Sequence, residues 1–213
     1  MQCTKNFRTE KSEINPDLSG GNMMIKLKYG NTNTYFVNGL LIDTDYAGTL
    51  SAFYKEIKKN KISVTDIKYV IATHYHPDHI GLVSELMALG VKLLLTEHQA
   101  EYVHYSDAIF YRQPLLKYKP INENKAVIIG CQQSRDFLFK MGIQGEIVPT
   151  VSHSEDGVAV LLDDGNCFVG DLEPMEFIGA YESNQALQED WKLILSYNPV
   201  TIHYGHANEK RLK

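Results

Sequence analysis

A buried strand that ends in a cluster of histidines is the feature that most constrains this chain. The strand is predicted over residues 69–73, a short apolar and β-branched run. His74, His76 and His79 then fall within six positions of one another, with Asp78 among them. A helical pattern with start signals at Pro77 and Asp78 follows. The cluster is therefore expected where a strand ends and a helix begins.

The spacing of this cluster suits metal coordination. Side chains two positions apart on an extended segment point to the same side, so His74 and His76 can bind one ion together. Asp78 and His79 leave the turn in another direction and can serve a second ion. Imidazole and carboxylate suit zinc, iron and related divalent metals. A polar surface turn rich in histidine is the alternative, but binding sites in layered α/β proteins lie at the carboxyl ends of buried strands.

The composition of the whole chain sets outer limits on its function. Its 213 residues suit one domain over residues 1–213, with a polar segment at residues 1–20. A net charge of -5 gives no basic footprint, so no nucleic acid partner is expected. The three cysteines form no CxxC pair, which is typical of a reducing compartment. We find neither an apolar leader nor a run long enough for a membrane span, and we expect a cytoplasmic protein with no membrane partner.

The order of predicted elements indicates the fold. Short β-prone runs with Asn/Gly turns occupy residues 23–43, and helices and strands then alternate. We predict one helix over residues 97–111 and irregular structure over residues 112–130. Further strands lie between residues 145 and 170, followed by a helix at 183–197 and a strand at 200–203. This order predicts the α/β class, as a four-layer αββα sandwich of two mixed β-sheets flanked by helices.

Two metal sites need more ligands than one cluster supplies, since each ion takes about four. Downstream, His153 follows the strand predicted at residues 145–148, and Asp171 ends the strand predicted at 167–170. His206 lies just past the last strand, in a Gly-His pair. His203 competes with His206 for this role, but it falls within the strand.

Taken together, the motif H-x-H-x-D-H, a later His, a Gly-Asp pair and a Gly-His pair resemble the metallo-β-lactamase superfamily, over residues 23–206. The resemblance implies two divalent ions, taken as zinc with iron or manganese as alternatives, and it implies two ligand groups bridged by Asp171. The first group would be His74, His76 and His153, and the second Asp78, His79 and His206. This set is similar to that of glyoxalase II and lactonases. The sequence departs from the family in Thr-Val-Ser before His153, where Thr-Pro-Gly is usual, and in Ala207 after His206, where Gly is usual.

The resemblance also implies a hydrolase that uses a metal-bridging hydroxide on a small-molecule substrate. The bond attacked would be an ester, thioester, lactone, β-lactam or phosphodiester bond, and the sequence does not choose among them. Asp78 is the candidate catalytic residue, which would orient the attacking water and shuttle its proton. Tyr111 and Tyr181 are candidate substrate-binding residues that could supply an oxyanion donor.

Other functions stay open at this stage. A di-iron redox protein of the flavodiiron type shares the fold, but such proteins carry a carboxylate where this chain has His76, and they carry a flavin domain. A nuclease resembling ribonuclease Z would need a basic exosite, which the sequence does not show. A glyoxalase II-like thioesterase would need a C-terminal substrate domain, and the chain ends seven residues after His206.

Overall fold

The computed structural model of the chain describes residues 23–179 and 184–212. The strands of this part of the chain are β1 Met24–Lys28, β2 Asn33–Val37, β3 Leu40–Ile42, β4 Tyr69–Ile71, β5 Lys92–Thr96, β6 Val127–Ile129, β7 Gly145–Pro149, β8 Val158–Leu162, β9 Asn166–Gly170, β10 Thr201–Tyr204 and β11 Lys210–Arg211. The α-helices are α1 Leu50–Lys59, α2 Pro77–Ile80, α3 Val83–Ala88, α4 Asp107–Tyr111, α5 Ser134–Lys140 and α6 Gln185–Ser196.

The strands form two sheets that both mix parallel and antiparallel pairs. The first sheet follows chain order from β1 to β6, and its pairs are antiparallel up to β3 and parallel from β3 onward. In the second sheet the order is β11-β10-β9-β8-β7, and only β9 and β10 run parallel. The prediction of two mixed sheets is confirmed.

The alternation of side chains along the strands shows which layers pack against each other. On β3, Leu40 and Ile42 pack against Val160 of the second sheet, whereas Leu41 faces outward to Phe53 of α1. On the far side of the second sheet, β8 and β9 bury their other face against Trp191 of α6. This period of two along each strand buries both faces of both sheets. The result is the predicted four-layer αββα sandwich.

Two local predictions were wrong. Residues 97–111 form a 3-10 helix, Glu97–Tyr102, and then the separate helix α4. Two side chains tie this segment to the chain after β4: Gln99 Nε2 donates to the Ala72 carbonyl at 2.8 Å, and Ser106 Oγ donates to the Tyr75 carbonyl at 2.6 Å. These contacts outweigh the helical periodicity. Strand β6 lies inside the segment expected to be irregular. An additional short strand, β11, forms near the end of the described residues.

Within the described residues, no helix has both the length and the apolar character to cross a membrane.

Candidate metal centre

The histidine cluster lies at the junction of β4 and α2, as predicted. His76 is the N-cap of α2 in an extended conformation, and Pro77 occupies the first helical turn. Because the chain is still extended at His76, its ring lies beside that of His74, with 4.4 Å between ring centroids. Asp78 and His79 lie within the helix and point to a different part of the site.

The second sheet supplies the remaining candidate ligands from three separate strand ends. His153 follows β7, Asp171 follows β9 and His206 follows β10. The loop that carries His153 is held by Asp190 of α6, whose carboxylate accepts hydrogen bonds from the backbone N–H groups of Val151 at 3.3 Å and Ser152 at 2.8 Å. A buried acceptor thus fixes the loop in which the family's usual Pro and Gly are missing.

The structure brings all seven predicted ligands together. In each of three groups, the candidate ligand atoms lie within 4.8 Å of one another. The groups are His74, His76 and His153; His74, His79 and Asp171; and Asp78, His79 and His206. The outer two groups match the two predicted ion sites, and the middle group joins them.

Asp171 occupies the centre of this arrangement. Its Oδ1 lies 3.3 Å from Nε2 of His79, and its Oδ2 lies 3.3 Å from Nε2 of His206. Oδ2 is also 4.0 Å from Nε2 of His74 and 3.9 Å from Nε2 of His153. One carboxylate therefore reaches both groups, which is the geometry that a bridging ligand needs.

Each outer group is closed by a short contact of its own. Nε2 of His153 lies 3.3 Å from Nδ1 of His76, and Nε2 of His206 lies 3.0 Å from Oδ2 of Asp78. Two ligand atoms of one tetrahedral zinc ion lie about 3.3 Å apart, so the first contact has this spacing and the second is somewhat shorter.

The donor set fits divalent metal ions. Nε2 of His74 is buried and has no hydrogen-bond partner, although a buried polar atom without a partner is costly. Nε2 of His79 and Oδ1 of Asp171 are likewise buried and make no well-aligned hydrogen bond. Coordination of a cation is the interaction that would satisfy these three atoms together.

The electrostatics keep the carboxylate charged and two imidazoles neutral. Burial and the neighbouring imidazoles, above all His79, hold the pKa of His74 well below its usual value, and burial also lowers the pKa of His153. Burial opposes ionisation of Asp171, but the nearby imidazoles outweigh it and lower the pKa of this carboxyl. Burial similarly opposes protonation of His79, yet Asp43 and Asp171 raise its pKa to about 10. Unprotonated imidazole and ionised carboxylate are the forms that bind metal, so His79 has to release its proton when it binds an ion.

Asp43 supports the site from outside the ligand set. It ends β3 in a left-handed conformation, with φ at 59°. Its carboxylate accepts hydrogen bonds from the Thr73 backbone N–H at 2.6 Å and from Thr73 Oγ1 at 2.9 and 3.0 Å, and Oδ2 lies 3.0 Å from Nδ1 of His79. An outer carboxylate on the second ring nitrogen fixes the orientation of a ligating imidazole.

Glycine at position 205 allows the two sheets to meet at the site. A Cβ atom there would lie 2.5 Å from Oδ1 of Asp171 and 2.8 Å from Cε1 of His79. The Gly205 N–H donates to the Gly170 carbonyl at 2.7 Å, and its carbonyl accepts from the Asn33 N–H of the first sheet at 2.6 Å. The candidate site therefore lies where the two sheets are bonded to each other.

The competing histidine, His203, lies elsewhere. It is buried in β10, stacks on Phe168 at 4.8 Å between ring centroids, and pairs through Nε2 with Oδ1 of Asn166 at 2.8 Å. Burial lowers its pKa to about 4. Cys167 is also buried, with its pKa raised to about 12 by burial, as expected of a core residue.

The two candidate substrate residues differ in what the structure shows of them. Tyr111 ends α4 with 62% of its surface exposed, and it lines neither the small cavity between His74 and His153 nor the larger one between His76 and His153. Tyr181 lies outside the described residues. Their substrate roles stay predictions.

Sequence reasoning missed residues that surround the ligands. Asp43 carried a usable signal, because it lies at the end of a predicted strand. Asp156, which accepts from the Tyr75 N–H at 2.5 Å, follows His153 closely and could have been suspected. Tyr105 lies in an aromatic-rich segment, for which packing on the core and a pocket wall over the metal site were the two alternatives, and its ring lies 6.2 Å from that of His76.

An αββα sandwich with a His/Asp cluster at the strand ends defines a class of metal-binding proteins, and comparison with known sequences agrees. A family model described as the metallo-beta-lactamase superfamily matches residues 27–206. The chain therefore belongs to the metallo-β-lactamase superfamily.

The individual relatives share only low sequence identity with this chain. The chain is 26% identical over 187 residues to a Drosophila melanogaster protein named beta-lactamase-like protein 2 homolog; the match covers 83% of this chain but only 59% of that protein. A metallo-beta-lactamase family protein from Thermus thermophilus superposes with a TM-score of 0.64 at 18% identity, over 90% of this chain and 75% of that one. TTHA1623, solved in a di-iron-bound form, has a TM-score of 0.62 at 24% identity, over 89% and 94%. Likeness at these identities shows the fold alone.

Proposed function

We propose that this protein is a metal-dependent hydrolase with a dinuclear centre, taken as zinc. The observation that supports this most directly is the position of Asp171 between two outer groups of three candidate ligands. Two sites that share one carboxylate suit a pair of ions a few ångströms apart, the spacing used for displacement at carbonyl and phosphoryl centres.

Bound divalent ions would lower the pKa of water to about 7 and polarise the substrate oxygen. The protein itself would orient the water and accept its proton. Asp78 is placed for this, because its side chain keeps about a third of its surface exposed (32%) while its Oδ2 stays 3.0 Å from His206. We therefore assign proton transfer to the Asp78 carboxylate.

The proposal is tested with purified, zinc-loaded protein. Metal analysis should give two ions per chain, and a panel of esters, thioesters, lactones, β-lactams and phosphodiesters should include a substrate that is cleaved in proportion to metal content. Asp78→Asn should lower the turnover remaining per bound ion by about 10²–10⁴-fold, the usual contribution of a proton-transfer group. A fully loaded protein that cleaves no member of the panel would overturn the assignment as a hydrolase.

A di-iron redox protein is the second candidate, because TTHA1623, which shares this fold, was solved with two irons. His76 argues against the flavodiiron type, in which the matching ligand is expected to be a carboxylate. Metal analysis and an optical spectrum of the protein as purified separate the two: iron content with visible absorption would overturn the zinc assignment.

A ribonuclease Z-like nuclease is disfavoured by the net charge of -5. A filter-binding assay with RNA tests this, and tight, salt-sensitive binding would revive the nuclease.

A further inference from the structure

A groove adjoins the first ligand group on the outside of the site, and we call it the tyrosine groove. It encloses about 380 Å³ and is lined by His76, Tyr102, Tyr105, His153, Ser154 and Glu155. This volume falls within the range of small-molecule sites. Because His76 and His153 belong to the first ligand group, whatever occupies the groove lies directly beside the first ion site.

The walls of the groove are fixed rather than loosely exposed. Tyr102 Oη donates to Oε2 of Glu155 at 3.0 Å, which joins the 3-10 helix Glu97–Tyr102 to the loop of His153. That loop is held in turn by buried Asp156, which accepts from the Tyr75 backbone N–H and from the Ser154 hydroxyl. Both sides are thereby anchored to the chain segment that carries the histidine cluster.

Tyr105 presents an aromatic surface at the mouth of the groove. Its ring is tilted by 30° to that of His76, with 6.2 Å between the centroids, and 65% of the residue is exposed. An accessible ring held beside a reactive centre can stack on an aryl or alkyl part of a ligand. The same ring face attracts cations.

Glu155 sets the charge of the groove. It contributes the only carboxylate among the described lining residues, and none of these is Lys or Arg. Glu155 would repel an anionic group placed here and so oppose its attraction to bound metal ions, whereas an ammonium group would meet both a carboxylate and aromatic faces.

From these observations we propose that the tyrosine groove is the substrate subsite beside the first ion, and that it selects an aromatic or alkyl group that is uncharged or cationic over an anionic one. Tyr105 is its stacking surface and Glu155 its charge filter. The assignment of the groove as a substrate subsite rests on the proposed hydrolase function. It disfavours substrates that would place a carboxylate, sulfonate or phosphate beside Glu155.

The test uses binding, so it does not depend on turnover. Three probes with one ring and different charge are titrated into the zinc-loaded full chain by calorimetry or NMR: 2-phenylethyltrimethylammonium, 2-phenylethanol and 2-phenylethanesulfonate. Glu155→Gln should weaken the ammonium probe relative to the sulfonate by about fivefold, as expected for one charge pair at contact distance in a solvated groove. Glu155→Lys should shift the ratio further in the same direction.

Tyr105→Ala should weaken all three probes by about two- to tenfold, and the ammonium probe most, because the ring offers both a stacking surface and a face that attracts cations. The control for Glu155→Gln is Glu101→Gln, an exposed carboxylate in the 3-10 helix that carries Tyr102. The control for Tyr105→Ala is Tyr54→Ala, a partly exposed tyrosine on α1. Neither control residue lines the groove. Retained metal content and circular dichroism establish that each variant is folded. Tyr105→Leu serves if the alanine variant is not.

The outcomes separate the two proposals. A probe ratio that Glu155→Gln shifts no more than Glu101→Gln does, or affinities that Tyr105→Ala leaves unchanged, would overturn the groove assignment even if the protein is a hydrolase. Selective binding by a protein that cleaves nothing on the substrate panel would support the groove and overturn the hydrolase.

Discussion

The carboxylate of Asp43 lies 3.0 Å from Nδ1 of His79, and both side chains are almost fully buried. Asp43 accepts hydrogen bonds from Thr73 as well, so it connects the end of β3, the end of β4 and a candidate ligand of the second ion. A buried carboxylate in this position holds the imidazole in one orientation and keeps Nε2 facing the site.

Replacing Asp43 by Asn should therefore weaken binding of the second ion. Asparagine keeps an acceptor for Thr73 and tolerates the left-handed backbone of position 43, so the fold should survive. We expect a loss of zinc affinity of about 10–100-fold at one of the two sites, measured by competition with a chromophoric chelator. Asp163→Asn, in the β8–β9 turn, is the matched control, and equal affinities in the two variants would contradict the prediction.

Removal of the bridging carboxylate should differ from removal of a terminal ligand. Asp171→Ala should lower occupancy of both sites, because Asp171 reaches both groups, whereas His153→Ala should mainly empty the first. Metal content per folded chain, measured by mass spectrometry after dialysis, distinguishes the two patterns. Two ions retained by the Asp171 variant would refute the bridging role.

Position 205 should accept only glycine. In Gly205→Ala the added Cβ would press on Asp171 and His79 at 2.5 and 2.8 Å. We expect a loss of about 1–3 kcal/mol in the free energy of unfolding by denaturant, together with weaker zinc binding. Gly130→Ala is the comparison, since its nearest contact would be an ordinary 3.5 Å. Similar losses of unfolding free energy and zinc affinity in the two variants would contradict the close approach of position 205 to Asp171 and His79.

His104 should make the stability of the protein depend on pH. Its Nδ1 lies 2.9 Å from Asp107 and its Nε2 lies 3.1 Å from Glu123. Partial burial works against the charged ring, but the two carboxylates outweigh it and raise the pKa of His104 above 6.5. The stabilising effect is then full below the unfolded pKa and is lost as pH rises through the folded pKa.

In His104→Gln, the deficit in unfolding free energy relative to the native chain should therefore be largest near about pH 6 and shrink toward about pH 9. Denaturant titrations of both proteins across this range measure the deficit, and an NMR titration of His104 measures its pKa directly. A deficit that grows with pH would contradict the assignment.

The sequence predicted the site better than its surroundings. His74, His76, Asp78 and His79 lie within one strand–helix junction, so local rules place them. His206 was preferred to His203 because one follows the strand and the other is part of it, and the structure places them accordingly.

The surroundings depend on contacts distant in the sequence. The break before α4 follows from side chains that bond to the chain after β4, and β6 is only three residues long and forms by pairing with β5. Tyr105 approaches His76 because of that break. The aromatic composition of this segment allows a pocket wall, but it does not give the break before α4 or the pairing of β6.

The two backbone hydrogen bonds of Gly205, one of which joins the two sheets, place the candidate metal centre between the two halves of the chain. Four of the candidate ligands come from the half of the chain that builds the first sheet and three from the half that builds the second, so neither half could retain a complete pair of ions. A partly molten chain that kept its helices but let the two halves drift apart would release its metal. Bound metal would then hold the two halves together. Its release during gentle heating would report the temperature at which the halves separate, before any helix melts.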